Sequence, residues 1–290
     1  MADPRDGKKA LSRLRILVLT LLALTAFAGN SLLCRIALKR SEIDPASFTS
    51  LRIASGALVL WLLVRLRTGA ATSLGNWPSA LALFAYAAAF SFSYVTLTAA
   101  TGALLLFGAV QATMIGYGLW AGERLHGRQV LGLIVALAGL VGLLLPGLSA
   151  PPLQGSALML AAGVAWGVYT LRAKGSGDPL RVTAGNFMRA VVPTAALSLV
   201  TLAWFSFDGL GLACAIASGA LASGVGYAIW YTALPGLSVT TAATAQLSVP
   251  VIAAAGGIVL LGEPLSVRLV LASAAVLGGI ALVVIRRSAA

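Results

Sequence analysis

Tyr86, Phe90 and Tyr94 stand four residues apart in the stretch ALALFAYAAAFSFSYVTL, so on a helix they form one stripe among small alanines. Trp166 and Tyr169 lie three apart, and Tyr227, Trp230 and Tyr231 share one face of a later helix. Such rings can stack on flat apolar groups, each good pair contributing about 0.5–1.5 kcal/mol beyond area burial. The competing reading for any one of them is packing or lipid contact. Amides add polar handles inside apolar runs: Asn30, Gln111, Asn186 and Gln246. A buried amide without a partner costs about 1–3 kcal/mol, so each must face a neighbouring helix, water or a bound molecule. Asn30, Gln111 and Gln246 are candidates to face a bound molecule; Asn186 suits helix packing.

What is missing narrows the chemistry further. The acidic residues are Asp3, Asp6, Glu42, Asp44, Glu123, Asp178, Asp208 and Glu263, and none falls near the middle of an apolar run. The single histidine, His126, lies between two such runs. No His/Asp/Glu set has metal-ligand spacing and no Gly-x-Ser-x-Gly elbow occurs, so no catalytic residue, metal or cofactor is expected. Ser and Thr more often bond to their own helix backbone than act as nucleophiles. Cys34 and Cys214 fall in apolar runs and read as small core residues.

The elements that must hold these residues follow from composition. The chain is 59% hydrophobic and only 10% charged, with a mean hydropathy of +0.97. Too little polar surface is left to cover a soluble core. The runs are continuous, which a membrane β-barrel's alternation would not be. The net charge of +12 sits in short clusters between runs, a topology signal and not a nucleic-acid face. The runs predict spans at 14–37, 46–66, 77–97, 101–121 and 128–146, then 154–173, 182–204, 210–232, 239–261 and 266–286. Trp61, Trp77 and Trp204 fall near span ends, where an interfacial belt places them.

With a cytoplasmic N-terminus, only Arg35, Lys39, Arg40, Arg52 and Arg268 of the 20 Lys and Arg fall outside. The positive-inside rule therefore puts both termini in the cytoplasm. GERLHGRQVL at 122–131 returns as GEPLSVRLVL at 262–271, with Gly, Glu, Leu, Arg, Val and Leu in register. Asp44-Pro45 is matched by Asp178-Pro179. An odd number of spans per half makes the second half enter the membrane inverted, an architecture used by transporters. The expected fold is thus an all-α polytopic membrane protein, ten transmembrane helices as two inverted five-helix repeats. The divisions are a cytoplasmic tail at 1–13, a first repeat at 14–146, a linker at 147–153, a second repeat at 154–287 and a tail at 288–290.

Gly-Glu-x-Leu after the fourth helix of each half, Pro250 thirteen residues before Glu263, and the basic Arg52 early in the second helix resemble the drug/metabolite transporter superfamily, in its EamA-type ten-helix branch. The resemblance covers about residues 15–287 and departs at Val110, where the first half lacks the matching Pro. Within the superfamily the chain is most similar to the YddG-like exporters of aromatic amino acids. That resemblance implies a basket of helices around a central cavity lined mainly by helices 1, 3, 4, 6, 8 and 9, in a bacterial inner membrane. It implies export of aromatic and other apolar amino acids by alternating access, with a small-molecule substrate, the lipid bilayer as surroundings and a monomeric chain. A carrier of another metabolite such as a nucleotide sugar, or an intramembrane enzyme, stays open beside it.

On this reading the candidate binding residues are Asn30, Tyr86, Phe90, Tyr94, Gln111, Trp166, Tyr169, Tyr227, Trp230, Tyr231 and Gln246. Pro250, which removes a backbone bond, and Gly256 and Gly257 are candidate gating residues. Without an intramembrane acid, a facilitator is the simpler expectation, and a permanently cationic drug is a poor substrate. Arg35, Arg52, Arg172 and Arg189 are expected near the rims, snorkelling or pairing locally, Arg52 with Glu42 or Asp44. Glu123 and Glu263 are expected to be structural: the preceding Gly ends a helix, and the Glu sits at the next helix start or pairs with Arg128 or Arg268.

Overall fold

The computed structural model describes residues 12–68, 74–122, 124–147, 150–173, 177–237 and 239–284. The described residues are helical throughout, without strands. They form α1 (Arg13–Arg40), α2 (Pro45–Thr68), α3 (Trp77–Tyr94), α4 (Ala99–Trp120), α5 (Gly127–Leu144) and α6 (Leu153–Ala173). Then come α7 (Pro179–Val200), α8 (Gly209–Ile216), a π-helical stretch (Ala217–Val225), α9 (Gly226–Ala233), α10 (Val239–Gln246), α11 (Ser248–Leu261) and α12 (Val267–Val284).

Local chemistry explains most boundaries. Asn76, Thr98, Asp178 and Asp208 each accept a backbone N–H from the first turn of the helix that follows. Asp44 does the same for Ala46 and Ser47 of α2. The two Asp-Pro pairs thus start α2 and α7 by one device, an acceptor at the cap and a ring that needs no N–H just after it. Gly122 (φ 92°) and Gly262 (φ 63°) turn left-handed at the ends of α4 and α11, a conformation that favours glycine. Helix-ending by both glycines is as the sequence predicts; Glu123 lies outside the described residues.

Two elements depart from the expected simple spans. Pro250 cannot donate to the carbonyl of Gln246, and the helix breaks there into α10 and α11 around Leu247. The stretch ASGALASGV between α8 and α9 widens into a π-helix, which a continuous apolar run does not announce. Pro193, by contrast, is carried inside a continuous α7.

By length and composition, seven helical stretches among the described residues can cross a membrane: α1, α2, α4, α5, α6, α12 and the run Gly209–Gly236. The protein is a polytopic helical membrane protein. Its packing pairs α5 with α12, α2 with α7, α3 with α6 and α7, α4 with α6 and α11, and α1 with α9 and α11; the π-helical stretch packs on α1 and α2. The α5–α12 seam is built on small residues: a Cβ on Gly132 would lie 2.5 Å from the Gly279 carbonyl oxygen, and one on Gly279 equally close to that of Gly132. The outer faces of these helices, with Leu131, Ile134, Val141, Val270 and Leu271, are exposed apolar surface suited to lipid.

Candidate ring-lined site and its buried cation

The rings expected from sequence to stack meet in one continuous network. Tyr86 lies 5.4 Å from Phe90 and 4.7 Å from Trp166, and Phe90 lies 4.8 Å from Tyr94, centroid to centroid. Trp166 stacks on Tyr169 at 5.1 Å and on Tyr227 at 5.7 Å, and Tyr227 on Tyr231 at 6.3 Å. Phe27 of α1 joins Tyr227 and Trp230, and Phe187 of α7 joins Tyr227. The network therefore draws on α1, α3, α6, α7 and α9. Sequence reasoning missed Phe27 and Phe187; each sits in its helix without an aromatic neighbour at stripe spacing, so only the packing reveals them. The side chains close on one another: Phe90 and Tyr94 are fully buried, and Tyr86, Tyr169, Tyr227 and Trp230 nearly so.

Against this network lies a cation. Arg52 of α2 is 1% exposed, so the expectation that it snorkels at a rim is corrected. It pairs with neither Glu42, which is exposed, nor Asp44, whose carboxylate takes N–H groups at the start of α2 and from Ser206. Its guanidinium carbon lies 5.1 Å from the Tyr86 ring centroid and 4.8 Å from that of Phe90. Ring faces stabilise a desolvated cation by about 2 kcal/mol, less than the several kcal/mol that burying a charge costs. Nη2 donates to the Tyr86 hydroxyl at 3.0 Å, while Nε and Nη1 are buried without a partner.

The small residues of the π-helical stretch set this position. A Cβ on Gly219 would collide with the Arg52 carbonyl and the Ser55 hydroxyl, so the two backbones touch at the turn that carries Arg52. The same stretch supplies Ser218, which donates to the Asn30 side-chain oxygen. The Asn30 amide nitrogen in turn donates to the Tyr86 hydroxyl at 3.3 Å.

A second polar cluster closes the end of the bundle where α3 meets α4. Arg35, 8% exposed, donates from Nε to Glu263 at 3.0 Å and from Nη1 to the carbonyls of Tyr94 and Val95 at 2.8 and 3.1 Å. The other Glu263 oxygen accepts the Ala99 N–H at 2.8 Å, at the start of α4. Glu263 is thus structural as expected, but its partner is Arg35 and not Arg268, which donates to the Leu145 carbonyl. It serves the N-terminus of α4, not that of α12, because the fold sets its carboxylate beside the α3–α4 turn. Gly257 faces this carboxylate, at 2.7 Å from its would-be Cβ, and a Cβ on Gly256 would press on the Leu32 side chain of α1.

The EamA-like transporter family matches residues 153–285. An uncharacterized protein of Pseudomonas aeruginosa is 60% identical over 274 residues, covering 94% of this chain and 96% of its own length. The second half of the chain thus matches the EamA-like transporter family. It is similar to the threonine/homoserine exporter RhtA of Salmonella typhimurium, 35% identical over 152 residues and half of each chain. It is similar to RhtA of Escherichia coli K12 as well, 36% identical over 43% of each chain. A crystal structure at 20% identity shares the fold, with a TM-score of 0.65 over 94% of this chain and 98% of that one.

The remaining candidates divide. Gln111 does not join the rings; it lines a small apolar cavity between α4, α5 and α12, with Gly108, Ala136 and Val276. Gln246 is half-buried at the α10–α11 break, and Pro250 is buried one turn further on. Asn186 accepts the Asn76 N–H at 3.0 Å, the packing role expected of it. Arg172 donates to Ser79 and Arg189 to the Gly185 carbonyl of its own helix. Cys34 and Cys214 are free and buried.

Proposed function

We propose that this protein is an EamA-like transporter that exports aromatic and other apolar amino acids across a bacterial inner membrane. In this reading it is a facilitative monomer of ten spans in two inverted halves, with both termini cytoplasmic. The observation that carries the substrate class is the single ring network, from Phe27 through Tyr227 to Tyr94, at the meeting point of five helices. Alternating access draws support from the packing pairs. Exchanging the two halves turns α3 on α6 into α9 on α1 and α4 on α6 into α11 on α1, while α2 with α7 and α5 with α12 map onto themselves. Two related halves can then exchange conformations when the open side switches.

A second reading has its own observation. The RhtA relatives are named as threonine/homoserine exporters, and they match half of the chain or less. Counterflow of labelled tryptophan, phenylalanine and threonine in liposomes holding the purified protein decides between them. Tryptophan and phenylalanine entering faster than threonine is the expected result. Threonine alone would replace the aromatic reading, and no flux of any would remove both.

A further inference from the structure

We infer that Arg52 is the anchor for the carboxylate of the transported molecule, and that the site reads this carboxylate and not the amine. The inference rests on the transport reading above and deepens it.

The argument is one of donors and acceptors. Ser218 donates to Asn30, Asn30 donates to the Tyr86 hydroxyl, and Arg52 Nη2 donates to the same hydroxyl. The Tyr86 oxygen therefore accepts twice, and its own proton has no acceptor among the described residues. Arg52 Nε and Nη1 are buried and unpartnered beside it. Every unanswered group at this point is a donor. A carboxylate answers such a set of donors, since it accepts at both oxygens and donates nothing.

The distribution of charge agrees. Among the described residues, Glu42 is exposed, Asp44, Asp178 and Asp208 hold helix starts, and Glu263 pairs with Arg35. Arg52 is left as a positive charge in a low-dielectric interior with no counter-charge. A single negative charge completes it. No described carboxylate is left over to meet an ammonium, so the substrate's amine has no charged partner. The adjoining Tyr86, Phe90 and Trp166 rings suit an aryl group one or two carbons from the carboxylate. Aryl-alkanoic acids without an amine are therefore substrates of the same site.

The test uses the full-length purified protein, with ligand-induced thermal shift and competition against labelled phenylalanine in liposomes. Phenylalanine and 3-phenylpropionate are expected to act within about threefold of each other, and phenylalaninamide at least about tenfold more weakly. Arg52→Gln abolishes the response to both acids, and Arg52→Lys keeps part of it. Without ligand, Arg52→Met melts no lower than the parent, because it removes a buried charge that lacks a counter-charge; a clear fall would make the cation structural and overturn the anchor. So would equal binding of the acid and its amide, which needs no variant to observe. Threonine and threoninamide form a second arm. If only threonine binds, the aromatic reading fails, yet its contrast with threoninamide still decides for or against Arg52. If neither acid binds, the anchor falls.

Discussion

Arg35 and Glu263 join the end of α1, the α3–α4 turn and the second residue beyond α11 through four hydrogen bonds. Removing one partner strands a buried charge, at about 3–5 kcal/mol, whereas removing both leaves no charge behind. Arg35→Met and Glu263→Met should each lower the melting temperature markedly. The double variant should melt higher than the sum of the single losses predicts, which a double-mutant cycle in detergent measures. Trp166 bridges the two sides of the ring network, touching Tyr86 on one side and Tyr169 and Tyr227 on the other. On the proposed reading its replacement by Ala also removes a ring face for the substrate, worth about 1.4 kcal/mol, so half-saturation for phenylalanine counterflow should rise about tenfold. An unchanged value would place the substrate elsewhere.

At the scale of elements, the break between α10 and α11 and the π-helical stretch are two irregular places in the bundle. The first has a one-residue cause. Pro250→Ala restores a donor to the Gln246 carbonyl and removes a penalty of about 3 kcal/mol for a helix-interior proline. The variant should melt higher and transport several-fold more slowly, since a continuous helix loses its hinge. Faster or equal transport, measured as initial counterflow rate, would show that the break is not a moving part. Gly257→Val tests the adjoining contact. A side chain there meets the Glu263 carboxylate and Ala99, so it should lower the melting temperature as Glu263→Met does.

For the whole molecule, the α5–α12 seam is held by close approach of the two backbones. Gly132 and Gly279 each face the other's carbonyl oxygen. Gly132→Leu and Gly279→Leu should each destabilise by about 1–3 kcal/mol or more from overpacking, visible as drops in melting temperature. No drop in either would show that the seam can open to take a side chain. None of the five described carboxylates hydrogen-bonds to a ring of the network, and Glu263, the one set near Tyr94, is paired with Arg35. Phenylalanine counterflow should therefore be unchanged by an imposed pH gradient. A rate that follows the gradient would demand a proton site among other groups and sink the facilitative reading.

Much of the fold is legible in the order of the residues. Continuous apolar runs, Asp-Pro starts and Gly stops are local signals, since helix formation and capping depend on residues within one turn. The ring stripe of Tyr86, Phe90 and Tyr94 is legible for the same reason: helical spacing decides which side chains share a face. The direction in which Arg52 points is not a local property. Near the start of α2, it could as well have reached a headgroup. Only the close approach of Gly219, with Tyr86 and Phe90 waiting across the interface, turns it inward. Phe27 and Phe187 join the network, Gln111 stands apart from it, and Glu263 meets Arg35 in place of Arg268 on the same ground. The sequence by itself determined the helices and the chemistry each one carries, because turns and faces are set within a few residues. Which charge is left unanswered in the interior was decided by tertiary packing alone, because desolvation depends on everything that surrounds a group.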